Sequence, residues 1–177
     1  MGQSEARPRP APAPSDVDAP DSCLGSLCRR VTSLFEADDG TLWIGTDGGG
    51  LGRFDYAKNQ WQVFNTFTNS QLPNGFNNVL SLVQSSDGAL WIGTFGGGLA
   101  RFDYGKNQWQ LFNITNSQLP SQYVRFLIQS SDGALWMAPG DGLARFDYGK
   151  NQWQLFNTTN SQLPGKYINS LIQSSDG

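Results

Sequence analysis

The chain has 177 residues, with twelve basic and fifteen acidic side chains, no histidine and a net charge of −3; it lacks the basic excess that neutralises a phosphate backbone, so nucleic acid is not an expected partner. A content of 38 % apolar and 12 % aromatic residues is enough for a core. No run of about 18 apolar residues is present to span a bilayer, and no basic start followed by an apolar stretch marks a signal peptide.

Residues 1–29 are expected to be a disordered, proline-rich segment. Five of the nine prolines fall in residues 1–22, with Pro8, Pro10, Pro12 and Pro14 alternating with Arg and Ala, and no apolar periodicity is there to bury a face. A proline-rich docking peptide is the alternative. Cys23 and Cys28, the only cysteines, are read as two unremarkable thiols; a local disulfide would need an oxidising compartment. With no histidine to add, they cannot build the usual zinc site, and neither a metal nor a cofactor is expected.

From residue 30 the chain repeats itself. Asp39-Gly40, Asp87-Gly88, Asp132-Gly133 and Asp176-Gly177 open successive copies 48, 45 and 44 residues apart, and a fixed period in this range signals a repeat architecture. The second copy shows the unit. Val79 to Gln84 is β-rich, Asp87-Gly88 is a hairpin signal demanding positive φ, and Leu90 to Thr94 is the next run. Gly96 to Gly98 permits a reversal, Leu99 to Tyr104 is a third strand, Gly105-Lys106-Asn107 turns again, and Trp109 to Asn113 is a fourth. Each copy is therefore a four-stranded antiparallel meander, A-B-C-D.

Strand B carries Leu90, Trp91 and Ile92 in succession, which points large apolar side chains to both faces of the sheet, so both must be covered. Sheets of about 45 residues stacked on copies of themselves are the blades of a β-propeller. All six tryptophans recur at two positions, Trp43, Trp91 and Trp136 in strand B and Trp61, Trp109 and Trp153 in strand D, and are expected to be core. In strand C, Arg53 and Asp55, Arg101 and Asp103, and Arg145 and Asp147 lie two apart on one face, where they are expected to pair.

The string Asp-Gly-x-Leu-Trp-Ile-Gly-Thr followed by Gly-Gly-Gly-Leu-x-Arg-Phe-Asp resembles the two-component regulator propeller repeat over about residues 31–177. The resemblance implies a bacterial signalling protein, an extracytoplasmic or periplasmic location, and a seven-bladed propeller followed by further domains. The third copy departs from the motif. Trp136-Met137-Ala138-Pro139-Gly140-Asp141-Gly142 is one residue shorter, and Pro139 cannot donate to a ladder, which puts the end of its strand B in doubt.

Strand A occurs four times, at Val31, Val79, Val124 and Ile168, whereas B, C and D occur three times each. The expected fold is thus all-β: an incomplete β-propeller spanning 30–177, three blades plus a lone first strand from Ile168, read as an N-terminal fragment of a longer protein. Self-association through the open blade faces is the alternative. The surplus A strand would compete with that of the next copy, which disfavours cleanly closed rings.

The A-B and C-D turns hardly vary, while every length difference falls in the B-C and D-A loops on the opposite rim. Binding residues usually sit on variable loops over a fixed scaffold, so the candidate ligand-binding residues are Phe76, Phe95, Tyr123, Asp141 and Tyr167, with Arg125 of an inner strand directed at the channel. No catalytic motif or metal site is identified: histidine is absent, the glycine triplets lack the Gly-Lys-Ser/Thr of a phosphate loop, and Asp38-Asp39-Gly40 lacks the further ligands of a calcium loop. The expected function is a ligand-sensing or interaction module, taking a small molecule or glycan or a protein. A protein-binding scaffold is the alternative, and a propeller enzyme acting on carbohydrate is the third hypothesis.

Overall fold

The computed structural model describes residues 30–66, 72 and 74–173. The expected proline-rich segment, Cys23, Cys28 and the fourth Asp-Gly lie outside these residues. Twelve strands form three separate four-stranded sheets, each a meander whose order follows the sequence. Blade 1 is β1 (Val31–Glu36), β2 (Leu42–Thr46), β3 (Gly50–Asp55) and β4 (Gln60–Phe64); blade 2 is β5 (Val79–Gln84), β6 (Leu90–Thr94), β7 (Leu99–Asp103) and β8 (Gln108–Phe112); blade 3 is β9 (Leu127–Gln129), β10 (Leu135–Met137), β11 (Leu143–Asp147) and β12 (Gln152–Phe156). The chain is an all-β, incomplete propeller.

The turns explain the regularity. In each A-B turn only the glycine takes positive φ, as at Gly88 (φ 82), and its N–H donates to the Ser85 carbonyl at 2.8 Å. This is a type I turn closed by a left-handed glycine rather than the two-residue turn that Asp-Gly alone signals. At the C-D turns the left-handed residue is Asn59, Asn107 or Asn151, each at φ 51. The strand C aspartates hold these turns: Asp55, Asp103 and Asp147 accept from the backbone N–H of Lys58, Lys106 and Lys150 at 3.0–3.1 Å and pair with their ammonium groups at 2.8–2.9 Å.

That corrects the expected arginine–aspartate pairs of strand C. Arg53 stays near Asp55 at 3.8 Å, but Arg101 pairs instead with Asp87 at 2.6 Å and Arg145 with Asp132 at 2.5 Å, both in A-B turns. The lysines are flexible and adjacent to the turn they close, so they take the strand aspartates.

Blades stack through aromatic faces. Trp43 and Phe64 of blade 1 meet Phe102, Tyr104 and Trp109 of blade 2, and Trp91 and Phe112 of blade 2 meet Phe146, Tyr148 and Trp153 of blade 3 in the same way. These contacts form two core clusters, one per junction. Toward the axis the inner strands approach closely: a Cβ on Gly45 would lie 2.6 Å from Val79 Cγ1, and one on Gly93 2.5 Å from the Val124 carbonyl oxygen. Only glycine fits there.

Two expectations need correcting. Trp61 is not core but 62 % exposed, because among the described residues no sheet precedes blade 1 to cover it. Residues 168–173 form no strand. An A strand gains its ladder from the B strand of its own blade, and none is present for this one among the described residues. Moreover, Ala138 stands where blades 1 and 2 have Gly45 and Gly93, so a methyl occupies the point where the next inner strand would approach. The doubt about Pro139 was justified: β10 stops at Met137, two residues short of its counterparts.

Candidate functional site

The B-C and D-A loops are fastened into one rim by the backbone. Gly48 and Gly50 both donate to the Asn77 carbonyl at 2.9 Å, Gly96 and Gly98 to that of Gln122 at 3.0 and 3.1 Å, and Gly142 to that of Lys166 at 2.8 Å. Each B-C turn is therefore locked to the loop that leaves its own blade, and single bridges join Asp47 to Asn78 and Phe95 to Tyr123. The variable residues ride on a fixed hydrogen-bond frame.

Phe95 and Tyr123 come together on this rim, rings edge to face at 4.4 Å, and both remain exposed at 52 % and 44 %. Water-facing aromatic pairs of this kind offer an apolar plane with a polar hydroxyl beside it. Tyr167 is 71 % exposed and lies under the Lys166 ammonium, which sits 4.8 Å from its ring centre. The Tyr167 hydroxyl, and more weakly Asp141, hold the Lys166 ammonium above its ordinary pKa. Asp141, Lys166 and Tyr167 thus form a second, charged patch. Arg125 is exposed and its guanidinium lies 5.6 Å from the Phe126 ring.

Phe76 is not a surface residue. It is fully buried and packs edge to face on Trp109 at 5.3 Å. The stretch between Pro73 and Val79 is two residues longer than its counterparts, and Gly75, at φ 92, lies flat on the Gly96–Gly97 backbone, where any Cβ would come within 2.5 Å. The extra length turns the phenylalanine inward, which loop length alone cannot reveal. Lys166 escaped sequence reasoning; its signal is its position, equivalent to Asn77 and Gln122.

The opposite rim carries a cleft of about 320 Å³ between blades 1 and 2, lined by Asp39, Arg53, Gln84, Asp87 and Tyr104 among others. The same place between blades 2 and 3 measures about 130 Å³. Sequence explains the difference. Ser85, which binds Asp87 in blade 2, is Ala37 in blade 1, and Arg53 turns to the Thr41 hydroxyl at 3.3 Å instead of closing on an A-B aspartate as Arg101 does. Arg53 stacks on Tyr104 at 4.2 Å, and Arg101 on Tyr148 at 4.8 Å.

The carboxylates paired with lysine or arginine are poorly suited to acid catalysis. Lys58, Lys106 and Lys150 hold Asp55, Asp103 and Asp147 below the ordinary carboxylate pKa, and the Ser130 hydroxyl with Arg145 does the same for Asp132. Asp87 is pushed up by partial burial but pulled further down by Ser85 and Arg101. A general acid needs the opposite shift. Among the described residues no group of three or more His, Cys, Asp or Glu is placed to hold a metal ion, and no helix is long and apolar enough to cross a membrane.

Known proteins place the chain. The two component regulator propeller family matches residues 25–48 and 74–96. The extracellular domain of a protein named as a hybrid two component system from B. thetaiotaomicron is similar at 29 % identity and a TM-score of 0.64, over 78 % of this chain and 18 % of that one. A second such domain from the same organism aligns at 24 % identity and a TM-score of 0.69, over 84 % and 21 %. The chain therefore spans about a fifth of the length of these structures. Virginiamycin B lyase from Staphylococcus aureus, at 19 % identity and a TM-score of 0.58 over 76 % and 43 %, shares the fold alone. No curated protein matches the sequence. With its repeat motif, its four-stranded blades and these likenesses, the chain resembles the two component regulator propeller family.

Proposed function

We propose that this chain is a ligand-sensing or interaction part of the extracytoplasmic input region of a bacterial two-component signalling protein. The observation that carries the reading is the exposed Phe95–Tyr123 pair on a rim whose loops vary while the opposite turns repeat. A rigid frame bearing variable, partly apolar loops is the usual design of a binding surface. Likeness to extracellular domains of two-component systems supports the location and the signalling role; the ligand class, small molecule, glycan or protein, comes from the site and not from the fold.

The test is a thermal-shift screen of small molecules and glycans, followed by the variants Phe95→Ala, Tyr123→Ala and Tyr167→Ala. A ligand that binds only the folded state raises the melting temperature by mass action, and the reading predicts that the rim variants abolish that rise. If every hit is unaffected by the rim variants but lost in Arg53→Ala, the cleft between blades 1 and 2 is the site. If protein pull-down gives a partner and the screen gives no hit, the protein-binding form of the reading is the correct one.

A further inference from the structure

We infer that the cleft between blades 1 and 2 binds a free α-amino acid, its carboxylate on Arg53 and its ammonium on Asp38 and Asp39, as a second site separate from the loop rim. The three copies of the repeat show what is special here. In blades 2 and 3 the strand C arginine closes on the aspartate of its own A-B turn, Arg101 on Asp87 at 2.6 Å and Arg145 on Asp132 at 2.5 Å. A serine two residues before each aspartate holds that carboxylate, Ser85 for Asp87 and Ser130 for Asp132, and an alanine, Ala89 or Ala134, stands two residues after it. Blade 1 departs at both places. Ala37 has no hydroxyl to hold Asp39, and the Thr41 hydroxyl accepts from Arg53 Nη2 at 3.3 Å.

Arg53 is thereby left as a buried cation without a carboxylate of its own. It is 8 % exposed, and the one carboxylate in ion-pair range among the described residues, Asp55 at 3.8 Å, is held by Lys58 at 2.9 Å. Arginines so deeply buried are ordinarily paired. Nε is buried without a partner in Arg53 and Arg101 alike, so the difference between them lies at the outer nitrogens, where Arg101 has Asp87 and Arg53 has a hydroxyl. The Arg53 guanidinium lies 4.2 Å from the Tyr104 ring centre. It lines a cleft of about 320 Å³, at the lower end of the range of small-molecule sites, against about 130 Å³ at the next junction.

The uncommitted charges of the cleft define its ligand. Asp87 and Asp103 are in the lining but are taken by Arg101 and Lys106. Asp38 and Asp39 are exposed and enter no ion pair among the described residues. A simple carboxylate drawn to Arg53 is repelled by these two aspartates, and a simple amine drawn to them is repelled by Arg53. A molecule carrying a carboxylate and an ammonium on one carbon answers both. The flat guanidinium fork suits a carboxylate held by two parallel hydrogen bonds, as a point charge does not. Trp43 and Tyr104 give the cleft an aromatic wall for the side chain of the amino acid.

Isothermal titration calorimetry of the full 177-residue chain with each standard L-α-amino acid, and with acetate and methylamine as single-charge probes, tests this. At least one amino acid is expected to bind, with acetate and methylamine each weaker by about tenfold or more. The double variant Ala37→Ser/Thr41→Ala gives blade 1 the residues that blades 2 and 3 already carry, so that Arg53 closes on Asp39. Its melting temperature is expected to be no lower than that of the parent chain, and its affinity for the amino acid to fall by about tenfold or more. Arg53→Lys keeps the charge, loses the fork and is expected to weaken binding as well. The proposal is overturned if no amino acid binds at up to about 10 mM, if binding survives in the double variant, or if acetate binds as tightly as the best amino acid. The rim reading is decided separately, by the variants of Phe95, Tyr123 and Tyr167.

Discussion

Blade 2 and the two outer blades are near-copies in sequence and differ sharply in burial. Every residue of β6 is buried, whereas β2 alternates between buried and half-buried and β10 keeps Trp136 half-buried. Trp91 is 1 % exposed and Trp61 62 %, although both occupy recurring aromatic positions. The lesson is that a repeat carries the potential for burial and its neighbour realises it. A repeat array is stabilised blade by blade through nearest-neighbour contacts.

Substitutions at the recurring aromatic positions should expose this inequality. The largest difference is expected between Trp91→Ala and Trp61→Ala. The first empties a site packed from both sides and should cost about 3–5 kcal/mol; the second removes a ring that is mostly exposed and stacked on Phe54 and should cost less than about 1 kcal/mol. Denaturant titration of the two variants is the check, and equal losses would show that blade 1 is covered.

Next comes the inner seam. Gly93→Ala drives a methyl into the Val124 carbonyl and should cost about 2 kcal/mol by overpacking, while Ala138→Gly, the reverse exchange at the matching point of blade 3, should cost no more than about 1 kcal/mol. Arg101→Ala should destabilise by about 1 kcal/mol more than Arg145→Ala, since only Arg101 stacks on a tyrosine of a following blade. Thermal melts of the pair measure it.

The smallest expected effect is that of pH near neutrality. The paired aspartates have folded pKa values below the ordinary 3.8, so the unfolded chain binds protons first as pH falls. Their stabilisation is complete above the unfolded carboxylate range and is lost on acidification through 3.8 and below. With no histidine in the chain, stability should be level between about pH 5 and 8. A sloping melting temperature in that interval would contradict the assignment.

The fold was legible because its signals repeat. Asp-Gly turns, glycine triplets and Leu-Trp-Ile runs recur in register, and the tryptophans at their fixed positions mark the blade faces. What stayed hidden depends on three-dimensional neighbours. Phe76 looked like a rim residue because its loop is long, yet the added length lets Gly75 lie on another loop and turn the ring inward. Residues 168–173 have the composition of a strand but no strand B to pair with. The partners of the strand C aspartates were missed because lysine three residues on competes with arginine two residues back, and only the turn geometry decides between them. Of the site, the pairing of Phe95 with Tyr123 is consistent with loops read as one rim, whereas the larger cleft follows from the small change of Ser85 to Ala37.

Amide hydrogen exchange resolved by strand tests most directly whether neighbouring blades, rather than the repeat sequence, set the order of stability. The slowest exchange is predicted for β6, with β2 and β10 faster and β1, β4 and β12 fastest. Equal protection of β2, β6 and β10 would contradict that account.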